Sequence, residues 1–260
     1  MAETPKLVSS MGKAELDRIF VRGYDLNEQL LGKITFAQMV YLMLVGRMPS
    51  AEEGRMIDTM LIVLVDHGMT TGALAARMTY HSAPEALQGA VAAAILGAGS
   101  VHLGSSEYCA KMLNDALPPD SKETDLDIDT IATNTVEKRL AIKQLIPGIG
   151  HGIHTQGDPR AERLFQVAQE TKVYGRYCEL LRKIGKLAEE QVGRRLPVNV
   201  TGAIGAISMD MGLPWQMSKS FAILGRALGG IAHVGEEVRR PIARGLSDLI
   251  RKNLQYEPEK

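Results

Sequence analysis

The amino-acid sequence predicts an all-α fold, and two observations carry the prediction. Apolar residues recur at helical spacing, as at Phe36, Met39, Val40, Met43 and Leu44, which fall at i, i+3, i+4, i+7 and i+8. β-Branched residues never alternate with polar ones over the length of a strand. Apolar residues make up 45% of the chain and aromatic residues only 5%, so Ala, Met and aliphatic side chains must fill the core.

The first predicted helices form an amphipathic hairpin that follows a loose N-terminal arm at residues 1–12. Thr35 is typical of an N-cap, and Gly46 ends the helix that it begins. Ser50 followed by Glu53 is the capping-box pattern of a second helix.

Histidines follow the second helix and a later helix rich in Ala and Gly. His67 lies at the C-terminal end of the second helix, where the helix dipole favours a protonated imidazole. A third segment, residues 70–80, precedes residues 84–101, whose small side chains allow neighbouring backbones to approach closely. We therefore expect this helix at the centre of the fold, with His102 directly after it.

The second half of the chain contains further predicted helices. They lie at residues 105–117, 128–144, 161–190, 201–211, 215–234 and from 239 to about 253. Much surface charge falls between residues 105 and 195, which indicates a smaller and more peripheral subdomain there.

The stretch at residues 145–160, LIPGIGHGIHTQGDPR, combines a glycine-rich turn with a histidine. Its Pro and Gly residues break regular structure, so the backbone can turn tightly and pass close to a ligand. His151, at the end of the turn, can exchange a proton near neutral pH. Asp158 then acts as an N-cap with Pro159 at the first helical position. This pattern predicts a substrate loop.

Composition excludes several classes of function. The 260 residues include thirty basic and thirty acidic side chains, and this balance argues against nucleic-acid binding. No apolar run is long enough for a membrane span, and the N-terminus lacks the layout of a signal peptide. Cys109 and Cys178 have no metal-ligand spacing and are expected to be reduced thiols, so we expect a cytoplasmic protein with no metal site.

Seven segments resemble a known family in both sequence and order. They are RGYDLNEQLLGKITFAQMVYLMLVGRMPS (22–50), LVDHGMT (64–70), GSVHLG (99–104), PGIGH (147–151), DPRAERL (158–164), RALGGIAH (226–233) and RRP (239–241). Together they resemble the citrate synthase superfamily, in particular its short, citryl-CoA lyase-like members. His81 and His233 have no role that this resemblance defines.

This resemblance implies a two-domain helical homodimer with an active site in the cleft between the domains. The large domain would cover residues 13–104 and 203–260, and the small domain residues 105–202. Coenzyme A would enter as part of the substrate or product, without a permanently bound cofactor. Its adenine would contact the backbone of the glycine loop at Ile146, Pro147, Gly148, Ile149 and Gly150.

The resemblance also implies roles for individual side chains. His102 would donate a hydrogen bond to the thioester oxygen and stabilise an enolate, as a neutral donor can. His151 would bind the carbonyl or hydroxyl of the second reactant and move its proton. His67 would bind the polar end of that reactant, Arg226 would hold a carboxylate, and Arg240 would reach into the neighbouring subunit's site.

Two positions depart from the family pattern. The family's catalytic Asp follows an Asn-Val pair, and here Thr201 takes that place after Asn199 and Val200. A threonine cannot act as a carboxylate base, and loss of a general base costs roughly 10²- to 10⁴-fold in rate. A carboxylate-binding Arg is expected four residues after His151, where this chain has Thr155. The adjacent His154 would substitute for it in part.

These departures argue against efficient citrate synthesis, which must deprotonate acetyl-CoA. We therefore expect a lyase that cleaves a carbon–carbon bond of citryl-CoA or a related CoA thioester through an enolate. Retro-Claisen cleavage of a 3-oxoacyl-CoA is an alternative, since it needs an enolate pocket and a histidine base. A non-catalytic binder of CoA esters is a second alternative, and a purely structural helical module is a third.

Overall fold

A computed structural model describes residues 7–99, 103–119 and 127–259. Within these residues the chain forms eleven α-helices. They are Phe36–Val45 (α1), Ala51–Ile62 (α2), Thr71–Ser82 (α3), Leu87–Leu96 (α4), Ser105–Ala116 (α5), Ile128–Ala141 (α6), Pro159–Glu170 (α7), Arg176–Val192 (α8), Val200–Asp210 (α9), Ser220–Arg239 (α10) and Ala243–Asn253 (α11). A π-helical turn spans Leu26–Leu30, and a 3₁₀ turn spans Trp215–Met217. The protein is therefore mostly helical, as predicted.

The all-α prediction is wrong at the N-terminus, where a small antiparallel sheet forms. Its strands are Gly12–Ala14 (β1), Ile19–Val21 (β2) and Tyr24–Asp25 (β3), in the order β1-β2-β3. Strands of two or three residues are too short to show an alternating pattern. Positive φ angles at Arg22 (51°) and Gly23 (85°) form the tight turn between β2 and β3. Gly12, the last residue of the predicted loose arm, belongs to β1.

Local capping signals correctly predicted several helix starts. The Thr35 side chain accepts a hydrogen bond from the Gln38 backbone N–H, and Gly46 ends α1 in the left-handed region at φ 89°. Ser50 and Glu53 form the predicted capping box of α2. Asp158 caps α7, with Pro159 at its first position.

Other boundaries differ from the prediction. Residues 161–190 are not continuous, because α7 ends at Glu170 and α8 begins at Arg176. The helix predicted at residues 201–211 begins one residue earlier, at Val200, and Asn199 caps it through its side-chain oxygen. The last helix begins at Ala243, because Arg239 still belongs to α10.

In the described part of the chain, two hydrophobic clusters organise the helices. The larger one joins residues of α1 and α2 to residues of α5–α9 and the start of α10, and Val200 to Met209 of α9 are all buried within it. The smaller one joins α3, α4 and α10 through Ala76, Ala90, Ala94 and Val234. The predicted domain boundaries stay a prediction.

The placement of α4 at the centre of the fold is wrong. Its small residues do allow close packing, since a Cβ at Gly72 would lie 2.7 Å from the Ala94 carbonyl oxygen and one at Gly230 2.9 Å from Ala94 Cβ. Leu87 and Leu96 on the same helix are nevertheless 44% and 85% exposed. Small residues on a helix predict that a neighbouring backbone packs closely against one of its faces. In α4 the opposite face is exposed to solvent. Among the described residues, no helix is long and apolar enough to cross a membrane.

Candidate active site

A cavity of about 820 Å³ opens where the loop at residues 145–153 meets the N-termini of α3 and α9 and one face of α10. This volume lies within the range of small-molecule sites, roughly 300–1,000 Å³. Much of the wall is apolar or backbone. The described polar side chains that line it include Asp66, His67, Ser105, His151, Arg160, Asn199, Thr201, Arg226 and His233.

The glycine-rich loop forms one wall of this cavity and is held from behind. Gly148 and Gly150 both have φ 84°. A Cβ at Gly148 would lie 2.7 Å from Cys109 Sγ and 2.8 Å from Gly202 Cα, so only glycine fits. Asn199 donates from its backbone N–H to the Gly148 carbonyl (2.9 Å) and from Nδ2 to the Gly150 carbonyl (2.7 Å). All five residues predicted to contact coenzyme A line the cavity: Ile146, Pro147, Gly148, Ile149 and Gly150.

Three imidazoles lie together at this wall. The ring centroids of His151 and His154 are 4.6 Å apart, and His67 lies 6.5 Å from His151 and 6.2 Å from His154. His67 and His151 line the cavity, whereas His154 packs beside His151 and is not among its lining residues. The fold therefore brings together two segments that are more than eighty residues apart in sequence.

The hydrogen bonds of His151 define which ring nitrogen carries its proton. Nδ1 accepts from the backbone N–H groups of Ile153 and His154, at 3.0 Å each. A neutral ring that accepts at Nδ1 carries its proton on Nε2. Nη2 of Arg160 lies 3.2 Å from this Nε2. With Nε2 protonated, this contact joins two donors and is not a hydrogen bond, and a ligand oxygen beside it can accept from both groups. Burial lowers the pKa of His151, and the nearby His154 and Arg160 lower it further.

The pKa of His67 is lowered, which favours the neutral ring. The prediction that the dipole of α2 favours a protonated imidazole here is therefore not supported. α2 ends at Ile62, so His67 lies beyond the reach of its dipole. Although His67 is exposed at the cavity wall, partial loss of its hydration lowers its pKa, and the charges of Arg160 and Arg226 add to this effect. Among the described residues, its ring nitrogens make no hydrogen bond.

Arg160 is a site residue that the sequence argument missed. Its Nε and Nη2 donate to the two carboxylate oxygens of Asp158, at 2.9 Å each. Burial alone would raise the pKa of Asp158, but hydrogen bonds from Arg160 and the Val200 N–H outweigh it and the pKa lies below its usual range. The DPR sequence carries the signal, but the sequence argument gives no role in the site to its arginine. An Arg two residues after an N-cap Asp can fold back onto that carboxylate.

Arg226 of α10 also lines the cavity, as predicted, and is partly buried. Burial lowers its pKa; the carboxylate of Asp66 opposes this shift and Arg160 adds to it. Among the described residues it has no hydrogen-bond or ion-pair partner. Two guanidinium groups, one of them unpaired, therefore face the same cavity, and this arrangement suits an anionic ligand.

Thr201 lies in the cavity wall at the second position of α9. Its hydroxyl donates to Asn199 Oδ1 (2.7 Å), so the hydrogen bond between Thr201 and Ser105 has the Ser105 hydroxyl as donor. Asp66 supplies the single carboxylate among the described lining residues. Its oxygens are occupied by His233 Nε2 and the Gly68 N–H, at 3.0 Å each.

Not every predicted site residue is found in the described cavity wall. Thr155 is exposed and outside the cavity wall, whereas the guanidinium of Arg160 lines it beside His151. Arg240 is exposed at the C-cap of α10, outside this cavity. His102 lies outside the described residues. Within the described part of the chain, no three His, Cys, Asp or Glu side chains are grouped to hold a metal ion.

Comparison with known proteins identifies the family. The sequence matches the family model for the citrate synthase C-terminal domain over residues 50–251. The chain belongs to the citrate synthase family. This family member is similar to the solved structure of citryl-CoA lyase from Hydrogenobacter thermophilus, with a TM-score of 0.85 and 32% identity. The match covers 98% of this chain and 95% of the lyase chain.

Longer proteins match over only part of their length. ATP citrate lyase from Methanothrix soehngenii, solved in complex with citrate and coenzyme A, shares the fold with a TM-score of 0.76 at 19% identity, over 100% of this chain and 43% of its own. Citrate synthase of Synechocystis sp. is 27% identical over 87% of this chain and 56% of its own. The chain thus spans about half the length of the curated relatives that it matches.

Proposed function

We propose that the protein is a carbon–carbon lyase that cleaves citryl-CoA, or a closely related CoA thioester, into acetyl-CoA and oxaloacetate. One observation carries this proposal. The described wall of the cavity beside the glycine loop includes two imidazoles whose lowered pKa values favour the neutral ring, His67 and His151. It also includes the guanidinium groups of Arg160 and Arg226 and the hydroxyl of Thr201. The likeness to a citryl-CoA lyase over nearly the whole length of both chains supports it.

The charges in the cavity fit the acyl part of this substrate. The citryl group has two free carboxylates, and Arg160 and Arg226 provide two cations to bind them. The CoA part would lie along the backbone of residues 146–150, where glycine allows close contact. A 3-oxoacyl-CoA with an alkyl chain has no carboxylate for these cations, so the cavity favours the citryl substrate over the retro-Claisen alternative.

Cleavage begins with loss of the hydroxyl proton of the substrate. In this proposal that oxygen lies beside Nε2–H of His151 and Nη2 of Arg160, which are 3.2 Å apart and stabilise its negative charge. The lowered pKa of His67 favours its neutral form, and its ring nitrogens make no hydrogen bond to any described residue, so in this proposal it accepts the proton. This assignment divides between two histidines the role that the sequence argument gave to His151 alone.

The bonding electrons then move to the thioester, and oxaloacetate forms as the carbon–carbon bond breaks. His102 donates to the thioester oxygen of the resulting enolate in this proposal. The enolate carbon takes a proton from water, which Ser105 and Thr201 can hold by their hydroxyl groups. The hydroxide left behind takes up the proton held by His67, which restores both water and the neutral imidazole. Because cleavage generates the enolate directly, no carboxylate base is needed at position 201.

A homodimer is part of this proposal. Large apolar side chains of α4 and α10 are exposed, and covering them would remove apolar surface from water: Leu87, Leu96, Leu228 and Ile231 are 44%, 85%, 55% and 46% exposed. In such a dimer Arg240 would reach the neighbouring site. Sedimentation velocity tests the assembly, and a monomer at micromolar concentration would contradict it.

A substrate panel tests the activity. The purified protein is incubated with citryl-CoA, with 3-oxoacyl-CoAs of several lengths, and with acetyl-CoA plus oxaloacetate. We expect release of oxaloacetate and acetyl-CoA in equal amounts from citryl-CoA alone. Turnover of the 3-oxoacyl-CoAs alone would favour the retro-Claisen alternative. Saturable CoA binding without any turnover would favour the non-catalytic alternative.

A further inference from the structure

A hydrogen-bonded chain connects a buried arginine to the cavity wall. Arg77 of α3 is 1% exposed, and its Nη1 donates to Glu237 of α10 at 3.0 Å. Arg77 also pairs with Glu236. Its Nε and Nη2 lie 3.3 and 3.1 Å from Nδ1 of His233, one turn earlier on α10. His233 in turn lines the cavity, with 13% of its side chain exposed.

The chemistry of arginine fixes the direction of this chain. A guanidinium has donors only, so His233 Nδ1 must accept and the ring proton lies on Nε2. That Nε2–H donates to Asp66 Oδ1 at 3.0 Å. His233 is therefore held in one orientation and one tautomer by a buried cation, and it presents a donor to the segment after α2.

Asp66 passes this constraint to the turn that carries His67. Its Oδ2 accepts the backbone N–H of Gly68 at 3.0 Å, and Gly68 has φ 73°. The two bonds of Asp66 thus fix the backbone on both sides of His67. Because both carboxylate oxygens are occupied, Asp66 orients the turn and does not replace the missing catalytic carboxylate.

We propose that His233 is a positioning residue of this site, acting through Asp66 to set the direction in which His67 meets the carboxylated end of the substrate. This inference rests on the proposed function and deepens it. His233 would then affect recognition of the acyl group, while the loop at residues 146–150 would bind coenzyme A independently of it.

After substitution of His233, the buried charge of Arg77 would still be balanced by a carboxylate. Glu237 stays paired with Arg77 and also accepts the N–H groups of Ile242 and Ala243 at 2.9 Å each. Loss of His233 therefore removes one link of the chain without leaving an unpaired buried charge. This makes a folded variant attainable.

Two variants of His233 test the proposal. His233→Leu removes both hydrogen bonds, whereas His233→Gln offers an oxygen to Arg77 and an amide N–H to Asp66. For His233→Leu we expect a roughly 10- to 100-fold rise in KM for citryl-CoA, as misplacement of a binding group can cost up to about 100-fold. The Kd for coenzyme A, measured by calorimetry, stays within twofold of wild type. His233→Gln recovers much of the loss, and the control His81→Gln, at an exposed position of α3, has no effect.

The outcomes separate this inference from the proposed function. An inactive wild-type protein overturns the proposed function, whereas an active wild type with an unchanged KM in His233→Leu overturns the positioning role alone. Equal losses of CoA and citryl-CoA affinity would indicate a general structural role and would also overturn it. If His233→Leu fails to fold, Asp66→Ala takes its place, since the Asp66 side chain is 55% exposed. The same rise in KM at unchanged CoA affinity is then expected.

Discussion

The carboxylate of Asp158 holds the guanidinium of Arg160 by two parallel hydrogen bonds of 2.9 Å, Nε to Oδ1 and Nη2 to Oδ2. The Asp158 side chain is fully buried and that of Arg160 is 22% exposed. Asp158 also accepts the Val200 N–H at 2.9 Å, so one carboxylate joins the starts of α7 and α9. Arg160 is consequently fixed beside His151 before any ligand binds, and its charge influences both imidazoles of the cavity.

The pH dependence of activity should reflect this charge. Because the pKa values of His67 and His151 are lowered from the usual 6.5, both rings stay neutral to a lower pH than ordinary histidines. We expect the acid limb of kcat/KM for citryl-CoA to lie below pH 6.5. Arg160→Gln removes one cause of the lowering and frees the negative Asp158, so the limb moves to higher pH. An unchanged limb in Arg160→Gln would contradict the assignment.

Arg226 should contribute to binding of citryl-CoA without stabilising the fold. It is a partly buried cation without a partner among the described residues, so Arg226→Gln removes a desolvated charge. We expect the free energy of unfolding in urea to stay equal or to rise, while KM for citryl-CoA rises by about 10-fold or more. Arg244→Gln, at an exposed position of α11, serves as the control and should change neither. A destabilised variant with normal KM would show a structural role instead.

The backbone at Gly148 should be essential for CoA binding. Gly148→Ala combines a left-handed φ of 84° with a Cβ 2.7 Å from Cys109 Sγ, so the loop must shift. Strain of this kind costs on the order of 1–3 kcal/mol, and we expect at least about 10-fold weaker CoA binding by calorimetry. Gly193→Ala is the matched control, because Gly193 has φ 72° with open space around its Cβ position. It should keep full CoA affinity.

Glu53 should stabilise the fold in a pH-dependent way. Hydrogen bonds from Arg47 at 2.6 and 2.9 Å lower the pKa of Glu53 from 4.5 to about 2. A carboxylate whose pKa is lower in the folded state stabilises above its unfolded pKa, and the effect is lost as the pH falls. Because the Arg47 side chain is about half exposed, solvent screens this ion pair and weakens it. We expect Glu53→Gln to lower the free energy of unfolding by about 1–2 kcal/mol at pH 7.

That difference should shrink as the pH falls below 4.5. Urea denaturation at a series of pH values measures it, with Glu85→Gln as an exposed control. A difference between wild type and Glu53→Gln that is constant from pH 7 to pH 3 would contradict the role of this ion pair.

Much of the fold follows from local sequence signals. Caps at Thr35, Ser50 and Asp158 are short-range patterns, so they are visible without the tertiary structure. The sheet at Gly12–Asp25 and the exposed face of α4 were missed for different reasons. Very short strands have no period to detect, and small residues on a helix do not reveal how many of its faces are covered.

The candidate site could be predicted only where a motif carries it. The glycine loop and His151 follow from one contiguous stretch, and the structure places both at the cavity. The ion pair that fixes Arg160 depends on side-chain rotamers, and the link from Arg77 to His233 joins residues 156 positions apart. Neither a helix start nor a helical histidine shows such a contact in the sequence.

The central claim is that cleavage proceeds through a thioester enolate in a site without a carboxylate at position 201. It is tested most directly by cleavage of citryl-CoA in D₂O, followed by mass spectrometry of the acetyl-CoA product. We predict acetyl-CoA with a single deuterium, formed much faster than the methyl hydrogens of free acetyl-CoA exchange. Absence of acetyl-CoA, or exchange of free acetyl-CoA as fast as cleavage, would contradict the account, because the latter requires a strong base at that carbon.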